Sequence, residues 1–352
     1  MKFAEEEKKR KNLNGSKIIL KIAEAALSSV ITIIVATYFF SIPLGFILMF
    51  LTKETSSLIA SKVKVLMIFF AIDFWFPIRI NLGTIFVILL LIYLLCLIVS
   101  WKLEVPFHKA ILNPKLFFKN WLASMPLISS ALLIALIFLQ NLQESHGIPT
   151  GSIQFQNPYE ALFSLAYSPI IEEIGFRISF IGVISMLYCL NSIKSSSFSK
   201  TLFLKILGLA FLFPDKTKQL IGVNSIKEKG WIKGIKLGEW IIIILTSIIF
   251  GLAHYLAGSG WEIGKVSSAS LAGLIFSLVY IRYGIHAPIL LHWFFNYYSY
   301  VYDLAVEKQF LTLIFSTLIS EFTLILGILT IGSFIIEFIV KSLQFISFRK
   351  IP

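Results

Sequence analysis

The stretch of this sequence with the clearest chemistry is SPIIEEIGFRI, residues 168–178, where two glutamates and an arginine lie within an apolar segment. Glu173 and Arg177 are four residues apart, the spacing at which an ion pair forms on one face of a helix. Glu172 points about 100° away from Glu173 on such a helix, so Arg177 does not neutralise both carboxylates. The pattern therefore predicts one compensated glutamate and one, Glu172, that is available as a proton acceptor.

Two further apolar segments carry polar side chains at helical spacing. His254 lies one turn after Phe250 in SIIFGLAHY, and His292 and Asn296 are four residues apart in HWFFN, so that both project to one side of a helix. Imidazole and carboxamide groups can donate hydrogen bonds, as a developing oxyanion requires. Histidines and carboxylates also ligate zinc, so a metal site remains open, with Glu172, His254 and His292 as candidate ligands.

The elements that position these side chains must be membrane helices, because the composition excludes an ordinary soluble protein. Of the 352 residues, 57% are hydrophobic and only 14% are charged, against about 25% charged in soluble domains. The aromatic content of 15% also excludes disorder. An ionisable side chain inside a span costs at least about 2.5–3.5 kcal/mol, so the three polar patterns indicate a functional site. The predicted fold class is an all-α polytopic membrane bundle.

Eight stretches are long and apolar enough to cross a bilayer, which takes about 20 residues. They are residues 25–51, 82–101, 120–141, 161–190, 239–256, 266–281, 286–302 and 310–340. Residues 65–77 are also apolar but short and interrupted by Asp73, so we expect an interfacial or re-entrant piece there. His286 lies off the stripe formed by His292 and Asn296, and we expect it at the membrane interface.

The net charge of +12 is concentrated in the N-terminal arm and in residues 191–238. Basic clusters beside apolar spans favour membrane orientation over nucleic-acid binding, and eight crossings with both termini cytoplasmic satisfy nearly all of the loop charges. Three lysines (Lys53, Lys62, Lys64) lie on the outer side of the membrane in this topology, against the positive-inside rule. We divide the chain into a basic arm (1–24), N-terminal membrane helices (25–160), a catalytic core (161–302) and a C-terminal helix with a basic tail (303–352). The core contains a basic insert, 191–238, with a predicted short amphipathic helix over 201–213.

The three polar segments resemble the ordered EExxxR, FxxxH and HxxxN motifs of the CPBP intramembrane proteases. This group contains the Ras-converting CAAX prenyl endopeptidases and bacteriocin-processing or immunity (Abi) proteins. The resemblance covers residues 165–300. The family has an eight-helix membrane core with the motifs on its fourth, fifth and seventh helices, and the predicted spans place them on the same three. The chain departs from the family pattern at two places. It has Ile178-Ser179 where the family often has glycine, and its basic insert is longer than usual; both differences bear on substrate access.

The resemblance implies a catalytic residue set and a substrate class. It implies that Glu172, assisted by His254, activates a water, that His292 and Asn296 stabilise the oxyanion, and that Glu173 and Arg177 hold their helix in register. The implied partners are the lipid bilayer and a peptide or prenylated-protein substrate, and the implied location is the cell membrane.

Metal dependence and enzymatic activity each leave an alternative open. The family has been described both as metalloproteases and as metal-free glutamate proteases, and the sequence has no His-Glu-x-x-His segment. We favour a mechanism that requires no cofactor, with zinc as the alternative. A non-enzymatic immunity or scaffold protein is the second hypothesis, and a transporter is disfavoured because no internal repeat is visible.

Overall fold

The computed structural model describes residues 2–192, 200–258 and 260–348 and is almost entirely helical, as the sequence predicts. The N-terminal part contains the long helix α1, a short helix α2, a two-stranded hairpin and three further helices. The bounds are α1 Lys2–Phe50, α2 Ser56–Ala60, β1 Lys62–Phe69, β2 Ile72–Asn81, α3 Leu82–Lys102, α4 Phe107–Ile111 and α5 Trp121–Ser145, with 3₁₀ turns at Lys53–Thr55 and Pro114–Lys119.

The C-terminal part consists of two helices broken by π-helical segments, a packed insert and three long helices. The bounds are α6 Pro158–Glu173, π1 Ile174–Gly182, α7 Val183–Ser192, α8 Lys200–Leu212, α9 Pro214–Leu220, α10 Ile226–Gly234, α11 Leu237–Leu256, α12 Ile263–Tyr283, α13 His286–Trp293, π2 Phe294–Tyr298, α14 Ser299–Glu307 and α15 Leu313–Phe348. The predicted helix at residues 201–213 corresponds to α8.

Six helices in the described part of the chain are long and apolar enough to cross a membrane. They are the stretch Lys17–Phe50 of α1, then α3, α5, α11, α12, and Leu313–Leu343 of α15. The chain is therefore a multi-pass membrane protein. The predicted count of eight is not confirmed, because the other two predicted spans, 161–190 and 286–302, are each divided between α-helix and π-helix. The orientation of the termini stays a prediction.

The segment between α2 and α3 is a β-hairpin, a secondary structure that the sequence did not predict, and the interfacial or re-entrant position expected for residues 65–77 stays a prediction. Phe70 and Ala71 at its turn both have positive φ angles, 49° and 60°, the geometry of a two-residue hairpin turn that matches the twist of the strands. The strand register shifts beyond Lys64, opposite the part of β2 that contains Pro77. Proline cannot donate a ladder hydrogen bond, so the strand bulges there.

The hairpin packs on the helix that carries the two glutamates. The Tyr167 hydroxyl on α6 donates a hydrogen bond to the Leu66 carbonyl on β1. Gly175 in π1 lies directly against the Ile68 side chain, in a space that leaves no room for a Cβ atom. Phe70 contacts Phe180 edge-on at 5.3 Å between ring centroids. The hairpin thus borders π1 along its length, and only a glycine at position 175 permits this approach.

The remaining contacts draw three motif-bearing elements together. α11 and α12 form a tight antiparallel pair in which Gly251 lies against the Val266 carbonyl and Ser270. Small residues allow two membrane helices to approach closely in this way. α13 packs between α6, α3 and α12, and the buried Trp293 and Tyr297 next to the polar stripe pack against Tyr93 of α3. This arrangement brings residues 172–177, 254 and 292–296 to one region of the bundle.

Candidate active site

The two glutamates lie at the junction of α6 and π1, where the helix widens. Such π-helical insertions occur frequently at functional sites because they re-aim the side chains that follow. Arg177 belongs to π1, and its Nε lies 3.1 Å from Glu173 Oε2, with both side chains fully buried. The ion pair that the sequence predicts is therefore present. Glu173 is neutralised inside the bundle, and its neighbour Glu172 points elsewhere.

Arg177 is enclosed by aromatic rings and a backbone carbonyl. Its guanidinium carbon lies 4.4 Å from the ring centroid of Phe250 and 5.3 Å from that of Phe276. Nη2 donates to the Gly273 carbonyl at 3.3 Å. Rings facing a desolvated guanidinium contribute up to about 2 kcal/mol. Arg177 thus ties π1 to α11 and α12.

His292 is held between a carboxylate and a carboxamide. Its Nδ1 lies 2.9 Å from Glu173 Oε1, and because an ionised carboxylate only accepts, we assign the donated proton to Nδ1. Its Nε2 lies 3.2 Å from Asn296 Nδ2, which also donates to Ser168 Oγ at 2.9 Å. Since the amide nitrogen donates, Nε2 accepts. His292 and Asn296 therefore form one connected network with α6.

Glu172 is partly buried, as are His254 and Asn296. Its side chain retains 19% of its exposure, and its Oε2 lies 3.8 Å from His292 Nε2, beyond hydrogen-bond distance. No hydrogen-bond partner for this Oε2 exists among the described residues. Buried polar atoms are almost always hydrogen-bonded, so a free carboxylate oxygen in this position has capacity for a substrate or a water.

His254 joins the group through Phe250 rather than by a direct polar contact with the glutamates. Its Nδ1 donates to the Phe250 carbonyl at 2.8 Å, because a carbonyl can only accept. Nε2 of the neutral ring is consequently an acceptor. The Phe250 ring contacts both imidazoles edge-on, at 4.7 Å from His254 and 5.8 Å from His292. The three sequence motifs thus converge around one phenyl ring.

The donor set does not fit a metal ion. Within residues 2–192, 200–258 and 260–348, no three His, Cys, Asp or Glu side chains are placed to hold one. Both ring nitrogens of His292 already have protein partners. The zinc site formed by Glu172, His254 and His292, left open by the sequence, therefore has no support in the geometry.

Three members of the site carried weak or no sequence signals. Ser168 lies one helical turn before Glu172, so its spacing could have identified it as a member of the same polar stripe. Phe276 and the Gly273 carbonyl contact Arg177 from α12, a helix in which no motif was identified. His286 is buried and packs against Phe213 of the insert, and its position at the membrane interface stays a prediction. The insert covers it, which the sequence does not reveal.

Comparison with known proteins confirms the resemblance. Residues 154–298 match the family model described as "Type II CAAX prenyl endopeptidase Rce1-like". This range contains all three motifs together with α6, π1, α11, α12, α13 and π2. No curated protein and no solved structure matches the chain.

Proposed function

We propose that the segment 154–298, which matches the Rce1-like type II CAAX prenyl endopeptidases, makes this chain an intramembrane endopeptidase acting on membrane-associated, prenylated CAAX-type substrates. One observation carries the proposal. A largely buried carboxylate, Glu172, has an oxygen without a hydrogen-bond partner among the described residues, next to a histidine that Glu173 and Asn296 hold in a fixed orientation. That combination supplies a base and hydrogen-bond donors at one place.

Glu172 acts as the general base. The Oε2 atom takes a proton from a water, and the water oxygen bonds to the carbonyl carbon of the substrate. Glu172 then gives this proton to the departing amine as the C–N bond breaks, so the carboxylate is restored at the end of the cycle.

His254 assists Glu172 by holding the attacking water. Its Nδ1 proton is occupied by the Phe250 carbonyl, which leaves Nε2 as an acceptor for the second water proton. This orients a lone pair of the water toward the substrate. Positioning of this kind converts a bimolecular encounter into an effectively unimolecular step.

Asn296 stabilises the oxyanion with its N–H group, and His292, whose Nε2 accepts from Asn296, holds that amide in place. Before substrate binds, Asn296 Nδ2 donates to Ser168 Oγ and to His292 Nε2. A negatively charged tetrahedral intermediate is a better acceptor than either, since hydrogen bonds to ionised oxygens are roughly twice as strong. The oxyanion therefore draws this N–H group away from its neutral partner. Glu173 keeps His292 oriented and stabilises any positive charge that develops on it.

The hairpin borders the approach to Glu172. Its strand β1 contacts π1 at Gly175, three residues after Glu172. The side chains of β2 are largely apolar and exposed, including Phe74, Trp75 and Ile78. An apolar surface next to the catalytic carboxylate suits a lipid-modified substrate that reaches the site from within the membrane.

Cleavage by the purified, reconstituted protein tests the proposal. Full-length protein in liposomes is given a labelled prenylated peptide, and the masses of the products locate the cut. We expect cleavage by the wild type and none by Glu172→Ala. Undiminished cleavage by Glu172→Ala would falsify the assignment. Absence of wild-type cleavage across varied prenylated and unprenylated peptides would favour the non-enzymatic hypothesis.

The metal-free mechanism is tested separately, by elemental analysis of the purified protein and by activity after treatment with a chelator. We expect neither a stoichiometric metal nor a loss of activity, because the donor set has no group of three ligands among the described residues. Stoichiometric zinc whose removal stops cleavage, and whose return restores it, would reverse this preference.

A further inference from the structure

A second polar site lies at the end of the bundle where α12 ends and α13 begins, apart from the candidate active site. A cavity of about 150 Å³ opens there between the loop after α3, the insert helices α9 and α10, and the last turn of α12. Its polar lining is Glu104, Lys216, Gln219, Lys227, Arg282 and Tyr283. At about 30 Å³ per water, this space corresponds to about five waters. It is large enough for a small charged group.

The lining of this cavity carries three cations and one carboxylate. Arg282 binds Glu104 with two hydrogen bonds, 2.9 and 3.1 Å, and so neutralises it. Lys227 Nζ approaches the same carboxylate only to 3.8 Å, and its side chain is 44% exposed. Lys216 is exposed, with its Nζ 6.0 Å from the Phe213 ring centroid. Asp215, which accepts from Gln219 Nε2 and the Lys227 amide, adds a second carboxylate beside this lining, so the three cations exceed the local negative charge by one.

A small inner space continues from this cavity and is lined by donors that have no partner. It shares Glu104 and Tyr283 with the larger cavity and adds Lys119, Trp121 and His286. Trp121 Nε1 and both ring nitrogens of His286 have no hydrogen-bond partner among the described residues, although both residues are more than nine-tenths buried. The indole N–H only donates, so what completes this space must accept. Acceptor oxygens with negative charge meet both requirements.

The position of the cavity relates it to the membrane surface. α3, α5 and α12 are all candidate spans, and the residues contributed near their ends are Glu104, Trp121 and Arg282. Lysine and arginine side chains at the ends of spans lie at the level of the lipid headgroups. The insert closes the cavity from the other side, since the Leu212 carbonyl accepts from the Ile285 amide.

We propose that this cavity binds a phosphate group, presented by an anionic phospholipid headgroup or as free phosphate. Lys216 and Lys227 pair with the phosphate oxygens, and the N–H groups of Trp121 and His286 receive an oxygen or a bridging water in the inner space. Because His286 begins α13, the helix that also carries His292, an occupied cavity holds the start of this helix against the insert. Nothing in the proposed hydrolysis requires this site.

Binding to the full-length protein in neutral detergent tests the proposal. Short-chain phosphatidic acid, short-chain phosphatidylcholine and inorganic phosphate are titrated by calorimetry, with thermal unfolding as a second readout. We expect saturable binding of phosphatidic acid with a raised Tm, and little binding of phosphatidylcholine. Competition by inorganic phosphate at similar concentration identifies free phosphate as sufficient. Its failure to compete identifies the lipid headgroup as the ligand. Lack of saturable binding of both anions overturns the proposal.

Matched variants distinguish a specific binding site from general electrostatic attraction to a basic surface. Lys216→Gln with Lys227→Gln removes both lysines that line the cavity and leaves the Arg282–Glu104 pair intact. Lys229→Gln with Lys233→Gln removes the same charge from exposed positions of α10 that do not line the cavity. We expect at least tenfold weaker binding for the first pair, since one charge-assisted hydrogen bond contributes about 1.5–3 kcal/mol, and unchanged binding for the second. Equal losses in both overturn the proposal.

Trp121→Phe tests the inner space separately, because it removes the donor and keeps most of the ring. We expect several-fold weaker binding of phosphatidic acid with Tm of the unliganded protein unchanged or higher, since an unpartnered N–H is lost. Unchanged affinity would contradict a role for the inner space. The active-site variant Glu172→Ala should bind phosphatidic acid like the wild type, so failure of the proposed protease function leaves this test intact.

Discussion

Two buried glutamate–cation pairs, Glu239–Lys218 and Glu173–Arg177, differ in how many of the polar atoms in and beside them have hydrogen-bond partners. Glu239 at the start of α11 binds Lys218 of the insert at 2.5 Å, and the Lys236 amide donates to the same carboxylate at 2.8 Å. Lys218 also donates to the Gly234 carbonyl at 3.1 Å. In the candidate active site, Arg177 Nη1 and Glu172 Oε2 have no hydrogen-bond partner among the described residues.

The difference shows that burial of a charge does not by itself indicate a site. A buried pair whose atoms are all hydrogen-bonded has nothing left to offer a substrate, and it serves to join the insert to α11. Capacity that remains free after the pair has formed is what distinguishes Glu172 and its neighbours. We therefore expect the two pairs to respond differently to the same substitution.

The largest expected effect comes from Glu173→Ala, which should damage both stability and activity. Removing the carboxylate leaves Arg177 buried without its counter-charge, which costs about 3–5 kcal/mol. It also frees His292 Nδ1, so the imidazole loses its orientation and cleavage falls below detection. Unfolding in detergent and cleavage of a prenylated peptide measure the two effects. A stable, active variant would contradict the pairing.

Glu239→Ala is the matched substitution at the insert, and it should affect stability alone. Lys218 is left buried and uncompensated, so we expect a similar loss of about 3–5 kcal/mol. Cleavage per folded molecule should equal that of the wild type at a temperature where the variant remains folded. The double variant Lys218→Met with Glu239→Leu should recover much of the stability, because no charge remains buried. A loss of specific activity in this double variant would remove the distinction between the two pairs.

How much of this contrast the sequence predicts depends on the distance between partners along the chain. The Glu173–Arg177 pair is local, so helical spacing alone indicates it. Lys218 and Glu239 are 21 residues apart and on separate helices, and no spacing rule connects them. The convergence of His254, His292 and the glutamates is predictable only because polar residues inside spans are costly and hence rare.

The hairpin and the π-helical segments were missed for a related reason. Residues 62–81 contain Asp73 and Pro77, which look like interruptions when a helical span is expected. The strands are stabilised by contacts with Tyr167 and Gly175, about a hundred residues away. Similarly, π1 widens a helix whose apolar pattern gives no indication of it. Tertiary packing decides both features.

A smaller effect on activity is expected from Asn296→Ala. Loss of one oxyanion donor typically lowers kcat by about 10²–10³, leaving a measurable remainder. The matched variant Ser168→Ala removes only the hydroxyl that accepts from Asn296 in the free site, and we expect it to lose less than tenfold. Steady-state cleavage rates at saturating substrate distinguish the two. Equal losses would assign Asn296 an orienting role rather than a catalytic one.

The smallest expected effect concerns Asp215 in the insert, outside the membrane-spanning helices. Burial raises the pKa of this carboxyl above its usual 3.8, although the Ile226 and Lys227 amides that donate to it act in the opposite direction. The folded state then binds the proton more tightly than the unfolded state, so stability falls as pH rises from about 4 through the raised pKa.

Asp215→Asn removes this titration, at the cost of one of the two amide hydrogen bonds. At neutral pH the variant should be as stable as the wild type or less stable, and its Tm should depend less steeply on pH above about 4. Thermal unfolding in detergent across that range measures the slope. Identical slopes would show that the amide donors hold the carboxylate ionised. Asp215 would then be as fully hydrogen-bonded as Glu239, and the contrast with Glu172 would extend to the whole insert.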